Sequence, residues 1–244
     1  HCQGKDLVRD PDVLDTWFSS GLWPLTTLGW PDETDSLKIH YPTSVLATGH
    51  EILYLWVARM VMMGLTLRND IPYRDVFIHG IVRDKQGRKM SKSLNNVIDP
   101  LDIMKKFGTD ALRFALVSQA SPGRDMQMSD DNFVGARNFA NKIWNASRFV
   151  MMNLKDFKPV DIPVADRTSA DRWIIQRFTD TLAQVDGFLT GFDPSQAARA
   201  LYGFFWNDFC DWYIEMAKPR MQPGAADQPA LKQTLVEILD GILR

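Results

Sequence analysis

Apolar positions recur with two different periods along the 244 residues of the chain, and the change of period divides it. Thr43 to Thr48 is a short β-capable run ending at Gly49. After it Ile52, Leu53, Trp56, Val57, Met60 and Val61 return every three or four residues, the spacing that turns one face of a helix toward a core. Val76 to Val82 is a second apolar run, continuous enough to predict a parallel strand covered on both faces. Strand, helix, strand predicts a βαβ unit of a doubly wound parallel sheet, where ligands collect beyond the carboxyl ends of the strands. Gly49 to Glu51 and Asp84 to Ser93 are then expected to face one crevice.

Beyond the second strand the pattern turns helical. Asp99-Pro100 predicts an N-cap followed by Pro at the first helical position, Gly108 closes that helix, and Thr109 is expected to cap a segment from Asp110 to Val117. From Ser129 on, apolar residues keep helical spacing throughout: Phe133, Ala136, Ala140, Ile143, Trp144 and Val150; Trp173, Ile174, Phe178, Leu182 and Val185; Leu201, Phe205, Phe209, Trp212 and Met216. Breaks fall at Lys158 to Ser169, Gly191 to Pro194 and Lys218 to Pro229. The fold class expected is α/β followed by all-α, with residues 1–128 as half of a Rossmann-type domain and residues 129–244 as an antiparallel helical bundle.

Composition narrows the classes. At 45% hydrophobic and 24% charged residues with net charge -2, the chain reads as globular. No apolar run reaches the roughly 20 residues of a membrane span, and His1 opens no signal sequence, so a cytoplasmic protein without membrane partners is expected. Cys2 and Cys210 have neither disulfide-framework nor metal-ligand spacing; both are expected as reduced thiols, Cys210 in a helix core, and no metal site is expected. The start without Met and the stop at Arg244 inside an amphipathic pattern are read as those of an excised fragment.

The candidate chemistry is concentrated in Lys89-Met90-Ser91-Lys92-Ser93. From Arg83 to Lys92 five cations face the single acid Asp84, in a chain whose overall charge is slightly negative. Such a run needs an anionic partner or plentiful water. Lysine ammonium groups on flexible stems suit a polyphosphate whose charge shifts during reaction, and serine hydroxyls can donate to non-bridging oxygens. A solvated basic turn around Gln86-Gly87 is the alternative from composition alone.

The pentapeptide matches the signature loop of class I aminoacyl-tRNA synthetases at all five positions. Asp12 to Ser20 and Thr48 to Trp56 resemble the segments flanking the active site in the subgroup for branched aliphatic amino acids. Asn138 to Ala146 and Asp208 to Tyr213 resemble its helical tRNA-binding domain. The resemblance implies an ATP-dependent ligase using ATP with Mg²⁺ and binding tRNA and an amino acid, but not DNA. Lys92 and Lys89 are implied as catalytic cations at the phosphates, with Met90 and Ser91 beside them at the nucleotide. Gly49 and Glu51 are implied at the ribose, Glu51 standing where the family usually has Asp and being equally readable as a first-turn helix acid. His79, Gly80 and Val82 are implied at the adenine. Trp17 and Trp56 are implied as walls of the aliphatic pocket, although composition alone reads them as core. Arg137, Lys142 and Arg148 could touch RNA phosphates or form a solvated helix face. The Thr48-Gly49-His50 form favours valine over isoleucine and leucine. A non-catalytic RNA-binding module is the rival from another class. The family's His-x-Gly-His turn does not occur in these residues, so the 244-residue chain alone is expected to be inactive.

Overall fold

The structure, a computed structural model, describes residues 8–154, 157–222 and 224–244, and of Lys92 the backbone only. The chain divides between His79 and Gly80 into two packing units.

The first unit is built around one parallel strand pair. Short helices α1 (Thr16–Gly21), α2 (Trp23–Thr26) and α3 (Asp35–His40) precede β1 (Thr43–Gly49). Asp15 and Thr34 start α1 and α3 by accepting from the amides of Trp17 and Leu37, which satisfies helix-end donors that water would otherwise take. After β1 the chain makes a 3₁₀ turn, His50–Ile52, and a π-helical turn, Leu53–Val57, before α4 (Ala58–Arg68) returns it to β2 (Tyr73–His79). β1 and β2 pair in parallel from Thr43↔Tyr73 to Gly49↔His79. Leu46, Val57, Met60 and Tyr73 form the core between strands and helix, with Trp56 and Val61 packed against it. Gly64 makes the return possible, because a Cβ there would meet the Tyr41 hydroxyl at 2.7 Å and the Asp70 carbonyl at 2.9 Å.

The second strand differs from the apolar run that predicts it. It covers Tyr73–His79 and stops before Gly80, and Val82 belongs to a separate strand. Nor is the pair covered on both faces: Val45 is 39% exposed and Val76 37% exposed. Hydrophobic continuity reports burial in whatever surrounds a strand, not which ladder each residue joins.

The second unit opens with β3 (Val82–Arg83), paired in parallel with β4 (Met126–Gln127). Between them lie α5 (Pro100–Phe107) and α6 (Thr109–Gln119). Asp99 caps α5 as its sequence predicts, accepting from Leu101 N at 2.8 Å, and Gly108 ends it at φ 96°. The cap of α6 is Gly108, with Thr109 already in the first turn, since one residue both ends α5 and starts α6. Then follow α7 (Asp130–Asn153), α8 (Ser169–Thr190), α9 (Pro194–Gly203) running through a π-helical stretch Phe204–Tyr213 into α10 (Ile214–Ala217), and α11 (Gln228–Leu243). Ser129 and Thr168 start α7 and α8 with reciprocal capping boxes through Asn132 and Asp171.

A bundle core of Phe139, Val150, Ile174, Phe205, Phe209, Tyr213, Leu231, Leu235 and Ile238 draws on α7, α8, the π stretch and α11. Cys210 lies in it, and burial pushes its thiol up to about 12, as expected of an inert core cysteine; Cys2 lies outside the described residues. A second core joins Ile103, Phe107, Ala111 and Ala115 to Met128, Phe133 and Ala136. It crosses the sequence boundary at 128/129, so the change of pattern there is not a change of packing unit.

Candidate functional site

In the first unit, the candidate residues collect at the carboxyl end of the strand pair. Register puts Gly49 at the end of β1 directly beside His79 at the end of β2. Gly49 is buried and Glu51 follows it in the exposed 3₁₀ turn, where a carboxylate is favoured at the positive end of a helical segment. Gly49 has φ -80°, a conformation open to any residue, so its backbone needs no glycine. The indole N–H of Trp56 donates to Ser20 O at 3.0 Å, which ties the π turn after β1 to α1. Trp17 sits on that same helix, half-buried, with the Arg59 guanidinium 5.7 Å from its ring centroid. Trp23 meets Trp56 edge-on at 6.1 Å. Trp56 is thus tied by one hydrogen bond to the helix that carries Trp17, nearly forty positions earlier in the sequence.

In the second unit, Gly80 is a packing requirement. A Cβ on it would lie 1.7 Å from Arg124 O and 2.9 Å from Asp125 Cα, so the strand end and the segment before β4 meet backbone to backbone. The Asp125 carboxylate accepts from Ile81 N at 2.9 Å and from Arg83 Nε at 2.5 Å. Val82 is half-buried in β3 and packs against the second core.

From β3 the chain turns through Asp84 to Arg88, closed by Gly87 N donating to Asp84 O and by Asp84 N donating to Arg88 O. Gly87 has φ 75°, the left-handed conformation this turn demands. Asp84 is only 6% exposed, yet charged, because four donors converge on its carboxylate: Gln86 N, Arg88 N, Arg88 Nε and Asn96 Nδ2. The Asn96 hydrogen bond, helped by those from Arg88 and Gln86, holds its pKa down at about 2 against the opposing effect of burial.

This changes the reading of the basic run. Arg83 is committed to Asp125 and Arg88 to Asp84, so both serve the scaffold of the turn. Lys85 and Lys89 are exposed on the same loop, and Met90 and Ser91 are half-buried. The Lys92 side chain, the first catalytic candidate, lies outside the described atoms. The roles of Asp84, Asn96 and Asp125 are not legible from the basic run. The Asp-x-Gln-Gly pattern does signal a turn around Asp84, but nothing local ties it to Asn96 or Ile81 to Asp125.

On α7 the three candidate RNA cations part company. Lys142 binds Asp211 at 2.9 Å and sits 5.0 Å from the Trp206 ring centroid, and Arg137 covers the Phe107 ring. Arg148 is exposed beside Trp144, itself 72% exposed, along an open cavity that Met151 and Met152 also line.

The first unit thus holds a glycine-ended parallel strand with a carboxylate just beyond it, and the second a lysine-bearing loop on a hydrogen-bonded turn ahead of a helical bundle, an α/β architecture followed by an all-α one. Residues 1–129 match the family of tRNA synthetases class I (I, L, M and V), and residues 171–244 match the anticodon-binding domain of tRNA ligase. More than half of the chain falls in the first match, and the chain belongs to that family. It is 50% identical to the valine–tRNA ligase of Carboxydothermus hydrogenoformans over 98% of its own length and 27% of the relative's. It is also 50% identical to the valine–tRNA ligase of Thermotoga maritima, over all of its own length and 28% of the relative's. The chain therefore spans a little over a quarter of the curated relatives it matches. Among solved structures, a LeuRS of Agrobacterium radiobacter K84 in a ternary complex with tRNA and LeuAMS superposes with TM-score 0.74 at 22% identity, over 96% of this chain and 30% of that one. Mycobacterium tuberculosis methionyl-tRNA synthetase in complex with methionyl-adenylate superposes with TM-score 0.73 at 24% identity, over 93% of this chain and 45% of that one. At these identities the likeness is one of fold. No helix among the described residues is long and apolar enough to cross a membrane.

Proposed function

We propose that these residues are part of a cytoplasmic valine–tRNA ligase: residues 1–128 supply the phosphate-handling half of its catalytic domain and residues 129–244 its anticodon-binding domain. The observation that carries this is the complete Lys89-to-Ser93 loop in a chain half identical, end to end, to valine–tRNA ligases. The whole enzyme joins valine to ATP with release of pyrophosphate, then passes the acyl group to the terminal ribose of tRNA.

In this reading the valine carboxylate attacks the α-phosphate, and negative charge grows on the departing pyrophosphate. Lys92 and Lys89 neutralise it, an effect that favours the transition state because the charge is greatest there. Glu51 accepts from ribose hydroxyls beside Gly49, and main-chain groups around His79, Gly80 and Val82 read the adenine. Met90 and Ser91 complete the nucleotide side, and Trp17 and Trp56 wall the aliphatic pocket. What supports a polyphosphate partner is that the arginines are occupied in the turn while Lys85 and Lys89 are exposed on the same loop. Mg²⁺ arrives with ATP and adds charge neutralisation at the phosphates, and the tRNA is bound by the helical domain.

Valine-dependent ATP–pyrophosphate exchange in the full-length protein containing these residues tests this. Valine is expected to exceed isoleucine and leucine by about 10²-fold in kcat/KM, the selectivity scale known from synthetases of this same group. A preference for isoleucine or leucine would reassign the amino acid. No exchange with any of the three, in a protein that still binds tRNA, would leave the RNA-binding module as the reading.

Trp56→Ala is expected to raise the KM for valine about tenfold or more with a smaller change in kcat, because it removes wall and not phosphate charge. Trp56→Phe keeps most of the packing but loses the N–H donated to Ser20, and should fall between. Unchanged valine KM in the alanine variant would make Trp56 a core residue only.

A further inference from the structure

A lysine loop that handles a leaving group must keep its backbone in one shape, and the contacts that do so converge on Asn96. Its side-chain amide is used at both ends. Oδ1 accepts from Ser91 N at 2.9 Å, while Nδ2 donates to Lys89 O at 3.2 Å and to Asp84 Oδ2 at 2.9 Å. The orientation of the amide is determined by its partners, since a flipped group would aim oxygen at two acceptors and N–H at a donor. Asn95, at φ 48°, turns the chain back so that Asn96 can reach the loop it has just left. Ser91 is fastened again by its hydroxyl, 3.1 Å from Ser93 Oγ and accepting from Leu94 N at 3.3 Å. The other end of the clip is anchored by the buried Asp84, itself locked to the amides of Gln86 and Arg88.

We propose, on the phosphate-handling reading of the loop given above, that Asn96 is a positioning residue for adenylate formation: clipped to Asp84, it fixes the backbone that carries Lys89 and Lys92. Asn96 touches neither substrate nor lysine ammonium in this role. It acts through the main chain on either side of Met90. Alanine at 96 loses all three hydrogen bonds. Aspartate keeps an acceptor for Ser91 N but sets a second carboxylate against Asp84, so the loop is pushed off its turn.

The experiment is valine-dependent pyrophosphate exchange in the full-length protein, with kcat and both KM values measured for Asn96→Ala and Asn96→Asp. Each single substitution at 96 is expected to lower kcat by about 10- to 100-fold, with the valine KM within about twofold of wild type, as displacement of a catalytic group without loss of the pocket requires. Asn96→Ala within about twofold of wild type in kcat overturns the role. So does a loss in kcat matched by an equal rise in the valine KM, which marks general structural damage. An inactive wild-type protein would instead overturn the functional reading itself.

Discussion

Replacing Lys92 with alanine in the full-length protein is expected to slow valyl-adenylate formation by about 10²- to 10³-fold while the valine KM moves by less than about threefold. The carboxylate and the triphosphate are both anionic before reaction, so some cation is needed merely to bring them together. During the displacement, however, charge shifts toward the leaving pyrophosphate, and a cation placed there stabilises the transition state more than the bound substrate. A flexible ammonium can follow that shift, whereas a guanidinium locked in a bidentate pair cannot. The structure sharpens this expectation, because Arg83 and Arg88 are held by Asp125 and Asp84 and so cannot substitute for the missing lysine. Pyrophosphate exchange separates the two constants. A near-normal kcat would remove Lys92 from the mechanism, and a raised valine KM with normal kcat would move it to substrate binding.

The largest stability effect is expected in the helical bundle, at Asp171. Its carboxylate is fully buried and accepts from Tyr213 Oη at 2.6 Å, Thr168 Oγ1 at 2.7 Å and both terminal nitrogens of Arg220 at 2.7 and 2.8 Å. Arg220 continues to Asp227 at 2.6 Å. Asp171→Ala leaves the Arg220 guanidinium and the buried Tyr213 hydroxyl without their acceptor, and is expected to cost about 3–5 kcal/mol in denaturant unfolding of the full-length protein. A loss below about 1 kcal/mol would mean that the network is replaceable by water or by Asp227. Burial pushes the Asp171 carboxyl up, but the hydrogen bonds from Arg220, Tyr213 and Thr168 outweigh it, and its pKa is lowered overall. With the folded value below the unfolded one near 3.9, the aspartate contributes stability that is fully present above about pH 5 and is lost as pH falls through the folded value. Asp171→Asn should therefore flatten the acid limb of stability against pH. An acid limb as steep as that of wild type would place its origin in other carboxylates.

Local chemistry made much of this protein readable from its residues. The cap at Asp99, the proline opening α5, the parallel strand ending at Gly49 and the helical periodicity after Ser129 all depend on neighbours within a few positions, and the structure has each of them. The five-residue loop and its family could likewise be read directly, since the resemblance rests on five consecutive side chains in unbroken order. The long-range arrangement was decided by the tertiary structure. Val76 to Val82 is one apolar run in sequence but two strands in space, because residues up to His79 pair with β1 while Val82 and Arg83 pair with β4. A helical pattern begins at Ser129, yet one core joins α5 and α6 to α7 across that point. Five cations close together look equivalent until folding brings Asp125 to Arg83 and closes Asp84 on Arg88, which sets the two arginines apart as parts of the turn. Asn96 and Asp171 are ordinary polar residues by composition. What sets them apart is the partners brought in by the fold, such as Asp84 on Asn96 and Tyr213 and Arg220 on the buried Asp171, and contacts of that kind leave no period or motif in the sequence.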